Sequence, residues 1–206
     1  MSEFEQHFTE LKAYIDNLYR VFISQFIPTK PGTKPDEYEH QVKAYCILCH
    51  AAFEEYFENV ALRVMIRSID EWLKSRKYTD TLITLVLYYG LKLELDENES
   101  NPEKKVFDYL RPLFDQIKTR FSEDVHNNHG ISLKYLRNLL IPVAIDIKDD
   151  IKLKNALQQL AKERGLYAHR QTVKKILAPE DAVKYVNDCL ELCEDVKQKA
   201  ESKFTL

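Results

Sequence analysis

The stretch YCILCHAAFEEYFENVALRV, residues 45–64, has apolar side chains at intervals of three and four residues. An α-helix turns once every 3.6 residues, so this spacing places those side chains on one wide face of a helix. We predict one long helix from about residue 37 into the seventies, with that face in the core. The apolar positions are Tyr45, Leu48, Ala52, Phe53, Tyr56, Phe57, Val60 and Val64.

The same periodicity predicts helices along most of the remaining chain. Ser2 followed by Glu5 resembles a capping box, which opens a helix at its first turn. No segment alternates as a β-strand does over a useful length. The sequence therefore predicts an all-α fold, a single-domain antiparallel bundle of six to seven helices over residues 1–206. Besides the long helix, the predicted segments are residues 3–27, 79–93, 101–123 and 133–140, a helix from about 149, and one over 179–203.

The composition narrows the class of protein. The chain has 206 residues, of which 45% are hydrophobic and 31% charged, so it can build a core and is not a disordered chain. No run of about 18 apolar residues is present, so we expect no membrane span. The first residues are acidic and amphipathic, unlike a signal peptide. We expect a cytoplasmic protein with reduced cysteines.

Charge is distributed unevenly along the chain. Residues 151–177 contain seven lysines and arginines against one glutamate, a net charge of +6, whereas the whole chain carries −3. Arg164 and His169 lie in this segment. An arginine can hold a phosphate through its forked guanidinium, and a histidine can move a proton near neutral pH. The segment therefore favours phosphate binding or phosphodiester chemistry.

The spacing of Arg164 and His169 restricts how they can act together. Five residues of regular helix give a rise of about 7.5 Å and an offset of about 140° around the axis. The two groups converge only if the helix ends or distorts near Gly165, or if a second molecule completes the site. The plain alternative is an exposed arginine and a helix-end histidine with no chemistry. Arg120 and His126 form a second such pair, but in an acidic setting that repels phosphate.

Several residues have the types that bind cofactors or act in catalysis. CILCH, residues 46–50, matches the pattern for c-type haem attachment. Cys46 and Cys49, together with Cys189 and Cys193, supply four thiols in two pairs, the ligand count of a four-cysteine zinc site. All four cysteines lie in predicted helices, and core packing is the interpretation we adopt. His126 and His129 suggest a helix terminator more than a metal site. We expect no metal and no cofactor. Of Glu54 and Glu55, one is expected to face solvent. The other is expected either at the core edge, where it pairs with a cation, or as a solvated or capped carboxylate, which is the interpretation we favour.

Three blocks of the sequence together resemble one known family. They are HAAFEEYFE at residues 50–58, NNHGISLKYLRNLL at 127–140, and LAKERGLYAHR at 160–170, which contains an R-x4-H motif. In this order they resemble the HEPN superfamily, and within it the RiboL-PSP-type branch, over about residues 38–193. The resemblance implies an all-α bundle that forms a two-fold homodimer.

The resemblance also implies a function. It implies a metal-independent endoribonuclease with its site at the dimer interface, of a kind common in toxin–antitoxin and antiviral defence systems. Arg164 and His169 would be catalytic, with RNA as substrate and a cognate antitoxin or defence protein as a further partner. Gly165 departs from the polar residue that usually follows the arginine, so a non-catalytic module for dimerisation and for RNA, nucleotide or partner binding is the alternative. Glu54 and Glu55 are possible supporting residues, and the expected RNA-binding residues are Lys162, Tyr167, Arg170, Lys174 and Lys175.

Overall fold

The protein is described by a computed structural model that covers residues 1–90, 100–148, 150–169 and 177–204, with the side chains of 102–107 and 163–169 outside the description. These residues form seven α-helices and no β-strand, which confirms the all-α class. The helices are α1 (Glu3–Phe22), α2 (Glu39–Ser75), α3 (Asp80–Tyr89), α4 (Pro102–His126), α5 (Leu133–Leu140), α6 (Ile151–His169) and α7 (Pro179–Ser202).

Helix α2 is the centre of the fold. It has 37 residues and contacts each of the other six helices. Buried side chains occur along its whole length, from Tyr45 near the start through Phe53 and Tyr56 to Trp72 near the end. Burying each such ring contributes about 1.5–3 kcal/mol from removal of apolar surface from water. The wide apolar face predicted from residues 45–64 is therefore the surface on which the other helices pack.

Helices α1 and α7 cover α2 and contact each other. The Tyr56 hydroxyl donates a hydrogen bond to the backbone oxygen of Cys193 on α7, at 3.3 Å. Lys197 on α7 is nearly buried; its Nζ lies 2.6 Å from Oε2 of Glu5 and 4.9 Å from the centre of the Phe8 ring. A buried ammonium needs such partners, because taking a charge out of water is costly. The start of the chain is thus fixed against its last helix.

Three helix boundaries differ from the sequence prediction. Helix α1 ends at Phe22 instead of residue 27, and Ile27 is extended (φ −113°, ψ 125°), as expected for the residue before Pro28. Helix α3 ends at Tyr89 because Gly90 is also extended (φ −63°, ψ 144°). Helix α4 continues three residues beyond the predicted end to His126, which brings Val125 into the core.

Within the described ranges, none of the helices is both long enough and apolar enough to cross a bilayer.

Candidate functional site: the end of α6 and the cavities around α4

Helix α6 carries both residues of the R-x4-H motif. Its start is fixed by Asp150, whose Oδ1 accepts hydrogen bonds from the backbone nitrogens of Lys152 and Leu153, at 2.7 and 3.4 Å. The backbone then remains helical through Arg164 to His169, the last residue of the helix. No helix end or break separates the two positions, so on one chain they are offset by about 140° around the axis. The side chains of Arg164, Tyr167 and His169 are outside the described residues.

The expected RNA-binding lysines and arginines lie around the same helix end. Lys162 is exposed on α6. Arg170, Lys174 and Lys175 fall in residues 170–176, outside the part of the chain that the structure describes.

The start of the basic segment has a structural role. The ammonium of Lys152 lies 3.1 Å from Oδ1 of Asp188 and 2.7 Å from Oε2 of Glu191, both on α7. These two hydrogen-bonded carboxylates raise the pKa of Lys152. Part of the +6 charge counted from the sequence is therefore neutralised where α6 begins. The sequence could not indicate this, because the two acidic residues come from a distant segment.

The two adjacent glutamates of α2 have different environments. Glu55 is exposed. Glu54 is largely buried, and its Oε2 lies 3.7 Å from Nδ1 of His50, one helical turn earlier and almost fully buried.

The histidine of the second arginine–histidine pair lies beside a group of glutamates. His126 ends α4 and, with His129, lines a cavity of about 280 Å³ whose other wall is α2. Glu54, Glu55 and Glu58 line that wall. Arg120 is exposed on α4. The acidic setting that the sequence indicated for this pair is therefore reinforced at His126 by three carboxylates that the sequence did not connect with this helix.

The carboxyl group of Glu58, in this cavity, has a raised pKa. Partial burial raises its pKa to about 6, and the nearby Glu54 carboxylate adds to the effect, while a hydrogen bond from Asn128 opposes it. Above this pKa the carboxyl group is ionised, and its negative charge repels a phosphate. Among the described residues, no three or more histidine, cysteine, aspartate or glutamate side chains are arranged to hold a metal ion.

A larger cavity, of about 470 Å³, lies between α3, α4 and α5 and was missed by the sequence analysis. Three buried apolar side chains line it, those of Phe121, Val125 and Leu139. Its tyrosines come from the end of α3 and from α5, and its amides from residues 127–138. The only sequence signal was NNHGISLKYLRNLL, whose amides and tyrosine face this space.

The four cysteines lie in the interior where α2 packs on α7, and all are buried. Burial raises the pKa of Cys49, Cys189 and Cys193, which keeps these thiols protonated. A neutral thiol is a poor metal ligand and nucleophile. Burial of all four side chains between α2 and α7 is what the core-packing interpretation requires.

Comparison with known families agrees with the three sequence blocks. The RiboL-PSP-HEPN family model matches residues 2–202, nearly the whole chain. The chain belongs to the RiboL-PSP-HEPN family. The match extends beyond residues 38–193, over which the resemblance was recognised, and includes α1 and the end of α7. No curated protein and no solved structure matches the chain.

Proposed function

We propose that this protein is a metal-independent endoribonuclease whose catalytic residues are Arg164 and His169. One observation carries the proposal: both residues of the R-x4-H motif lie on the last turns of one helix, in a chain that belongs to a HEPN family. The exposed Lys162 and the lysines and arginines that follow in sequence supply a positive field for an RNA backbone.

The proposed reaction uses a nucleophile that RNA itself carries. The 2′-hydroxyl attacks the adjacent phosphorus and the bond to the 5′-oxygen of the next nucleotide breaks. An imidazole accepts the proton from the 2′-oxygen or supplies one to the leaving 5′-oxygen. The guanidinium of Arg164 stabilises the charge that builds on the phosphoryl oxygens. The products are a 2′,3′-cyclic phosphate and a 5′-hydroxyl.

Two copies of the chain complete the proposed site. On a continuous helix Arg164 and His169 are offset by about 140°, so one copy does not present them to one phosphate along a common face. A two-fold axis beside the end of α6 brings Arg164 of one copy near His169 of the other. We infer a homodimer built around this helix end, with Tyr167 at the seam or stacked on a base.

Cleavage of purified RNA tests the catalytic assignment. We expect the wild type to produce ends with a 2′,3′-cyclic phosphate, with undiminished rate in EDTA. His169→Ala should reduce the rate by about 10²–10⁴-fold while the melting temperature stays nearly constant. Cleavage that persists in His169→Ala would remove the assignment, and a strict magnesium requirement would point to another site.

Mixing two inactive variants tests the shared site. Arg164→Ala and His169→Ala are each expected to be inactive alone. After unfolding and refolding together, half of the dimers carry one copy of each, and one of their two sites has both groups. The mixture should recover roughly a quarter of wild-type activity. If the mixture stays inactive although the mixed dimer forms, the two groups do not meet across copies.

Gly165 favours a second candidate function, a non-catalytic module that dimerises and binds RNA, nucleotide or a partner protein. It stands where relatives commonly have a polar residue after the arginine. A wild-type protein that shifts RNA on a gel, without cleaving it, would support this candidate over the nuclease.

We place the nuclease in toxin–antitoxin or antiviral defence, with a cognate antitoxin or defence protein as partner. Induced expression in a bacterial host should arrest growth for the wild type and not for His169→Ala. Equal growth of the two at equal protein level would contradict the toxin role.

A further inference from the structure

The cavity between α3, α4 and α5 has the composition of a site for a flat, uncharged ring. Phe121, Val125 and Leu139 are 1%, 4% and 3% exposed and form an apolar base. Tyr88 and Tyr135 are 55% and 38% exposed and offer aromatic faces at the opening. Ligand cavities combine such apolar surface with a few polar groups that fix orientation.

One wall of the cavity is already held in place. The Tyr89 hydroxyl donates a hydrogen bond to Oδ2 of Asp124, at 2.6 Å. The Tyr89 ring also meets Phe121 edge-on, with ring centres 6.1 Å apart and planes at 81°. A ring fixed at its edge and at its hydroxyl loses little freedom when a ligand stacks beside it.

The polar groups of the cavity indicate the charge and the hydrogen bonds of its ligand. They are the carboxylate of Asp124 and the amides of Asn127, Asn128 and Asn138. Among the residues that the structure describes, no lysine or arginine lines the cavity. A phosphate would meet a carboxylate with no opposing cation, which is unfavourable. A neutral ring that donates hydrogen bonds to the Asp124 carboxylate, and exchanges them with the amides, satisfies these groups.

We propose that this cavity binds an unpaired RNA base that carries an exocyclic amino group, adenine, cytosine or guanine, in preference to uracil. The base stacks on Tyr88 or Tyr135, and its amino group donates to Asp124. Unpaired bases are commonly recognised by stacking on aromatic side chains together with hydrogen bonds to the base edges. The inference rests on the proposed ribonuclease function. A base held in this cavity would set which RNA sequence the enzyme prefers.

This cavity is separate from the acidic cavity lined by Glu54, Glu55 and Glu58. Asn128 lines both, and His126 lines only the acidic one. The two cavities would therefore respond to different substitutions.

Binding of short single-stranded RNA tests the proposal without any need for cleavage. The protein is the full chain with His169→Ala, and the probes are labelled oligomers of A, C and U read by fluorescence anisotropy. At least one of Tyr135→Ala and Tyr88→Ala, the one that removes the ring on which the base stacks, should weaken binding of the A and C oligomers by about tenfold or more. Tyr78→Ala, which removes a similarly exposed tyrosine outside the cavity, is the control and should change nothing. Equal effects of the three substitutions would overturn the proposal.

The carboxylate tests base preference. Asp124→Asn should reduce the preference for A and C over U, because the amide presents a donor as well as an acceptor. If the preference is unchanged in this variant, or if U binds best in the wild type, the assignment of an amino-bearing base is wrong. Melting curves of each variant check that the fold is retained.

Free nucleosides distinguish the source of the base. Adenosine and uridine are added singly to the same protein, and their affinities are compared with those of the oligomers. Oligomers should bind more tightly, because their backbone gains contacts with the basic end of α6. If Tyr135→Ala weakens adenosine binding but leaves RNA binding unchanged, the RNA assignment is wrong and a free nucleotide is the ligand. The failure of each proposal can be told apart. If His169→Ala abolishes RNA cleavage and no cavity variant has an effect, the nuclease proposal holds and the cavity proposal is wrong. If RNA binding depends on Tyr135 but the wild type cleaves no RNA, the cavity proposal holds and the nuclease proposal is wrong.

Discussion

The ends of α4 and α6 carry similar residues in opposite electrical settings. Each helix has an arginine followed at a short interval by a histidine as its last residue. At the end of α4, His126 shares a cavity with three glutamates. At the end of α6, residues 162–175 contain five lysines and arginines and a single glutamate.

The interval between an arginine and a histidine does not by itself define a phosphate site, because the surrounding charge also matters. A guanidinium binds a phosphate more weakly where carboxylates repel the same anion, and more strongly where other cations raise the local potential. The tertiary structure widens the contrast because α2 adds Glu54, Glu55 and Glu58 to the α4 end. We expect RNA chemistry at α6 and none at α4.

The strongest test of the contrast compares the two arginines. Arg164→Ala should reduce RNA cleavage by about 10²–10³-fold, because the charge that develops on phosphate loses its stabilising partner. Arg120→Ala is the matched control on α4 and should leave the rate of cyclic-phosphate formation unchanged. A larger loss at Arg120 than at Arg164 would reverse the assignment of the two pairs.

Charge reversal after α6 should weaken RNA binding in a salt-dependent way. With Lys174 and Lys175 both changed to glutamate, RNA affinity at low salt should fall at least about tenfold. The plot of log affinity against log salt should become shallower, because its negative slope loses about 1.4 in magnitude with two phosphate contacts. Changing Lys74 and Lys77 to glutamate removes two exposed lysines at the end of α2 and serves as the control. Equal loss in the two double variants, measured by anisotropy at several salt concentrations, would show that only net charge matters.

The acidic cavity should have a signature in stability against pH. The folded protein raises the pKa of Glu58 from 4.5 to about 6, so it favours the protonated carboxyl. The unfolded chain then binds fewer protons between these values, and stability falls as pH rises from about 4.5 to 6. Glu58→Gln should add about 1 kcal/mol to the free energy of unfolding at pH 7.5, a figure reduced for solvent screening of a partly buried group, and nothing at pH 4.

Urea unfolding at the two pH values measures the Glu58 effect. Glu194→Gln, at an exposed position on α7, makes the same chemical change elsewhere and is the control against which the Glu58→Gln gain is read. A Glu58→Gln gain that is equal at pH 4 and 7.5 would contradict the raised pKa.

The smallest effect is expected at the start of α6. Lys152→Met should lower the melting temperature slightly, because Asp188 and Glu191 on α7 lose their shared cation. RNA affinity and its salt slope should stay within about twofold of the wild type, since this charge is already neutralised within the protein. A loss of RNA binding comparable to that of the double variant at Lys174 and Lys175 would extend the RNA path along the whole of α6.

Much of the helical architecture could be predicted from the sequence, for a local reason. Apolar side chains at intervals of three and four residues specify an amphipathic helix wherever they occur, and α2, α5 and α7 follow the predicted ranges closely. The chain leaves α1 at Ile23 and continues as a 3-10 turn over Ser24–Phe26. The ends of α3 and α4 depend on the extended backbone of Gly90 and on the burial of Val125. Periodicity does not report such positions, because they lie where the repeat stops.

The candidate site divides in the same way. The R-x4-H motif and the charge of residues 151–177 are contiguous in sequence, so they could be recognised there. The pairing of Lys152 with α7 could not, because its partners come from another helix. The shared site of two copies stays a prediction, which the mixing experiment addresses.

Three properties could be recognised from the sequence, because each depends on local spacing or on contiguous blocks of residues. They are the all-α class, the wide apolar face of α2 and membership of the RiboL-PSP-HEPN family. Two further features are visible only in the tertiary structure. Glutamates of α2 lie beside His126. Tyrosines of α3 and α5 face the amides after α4 across one cavity. The physical reason is that charge and shape at a site are sums over side chains close in space, whatever their separation along the chain.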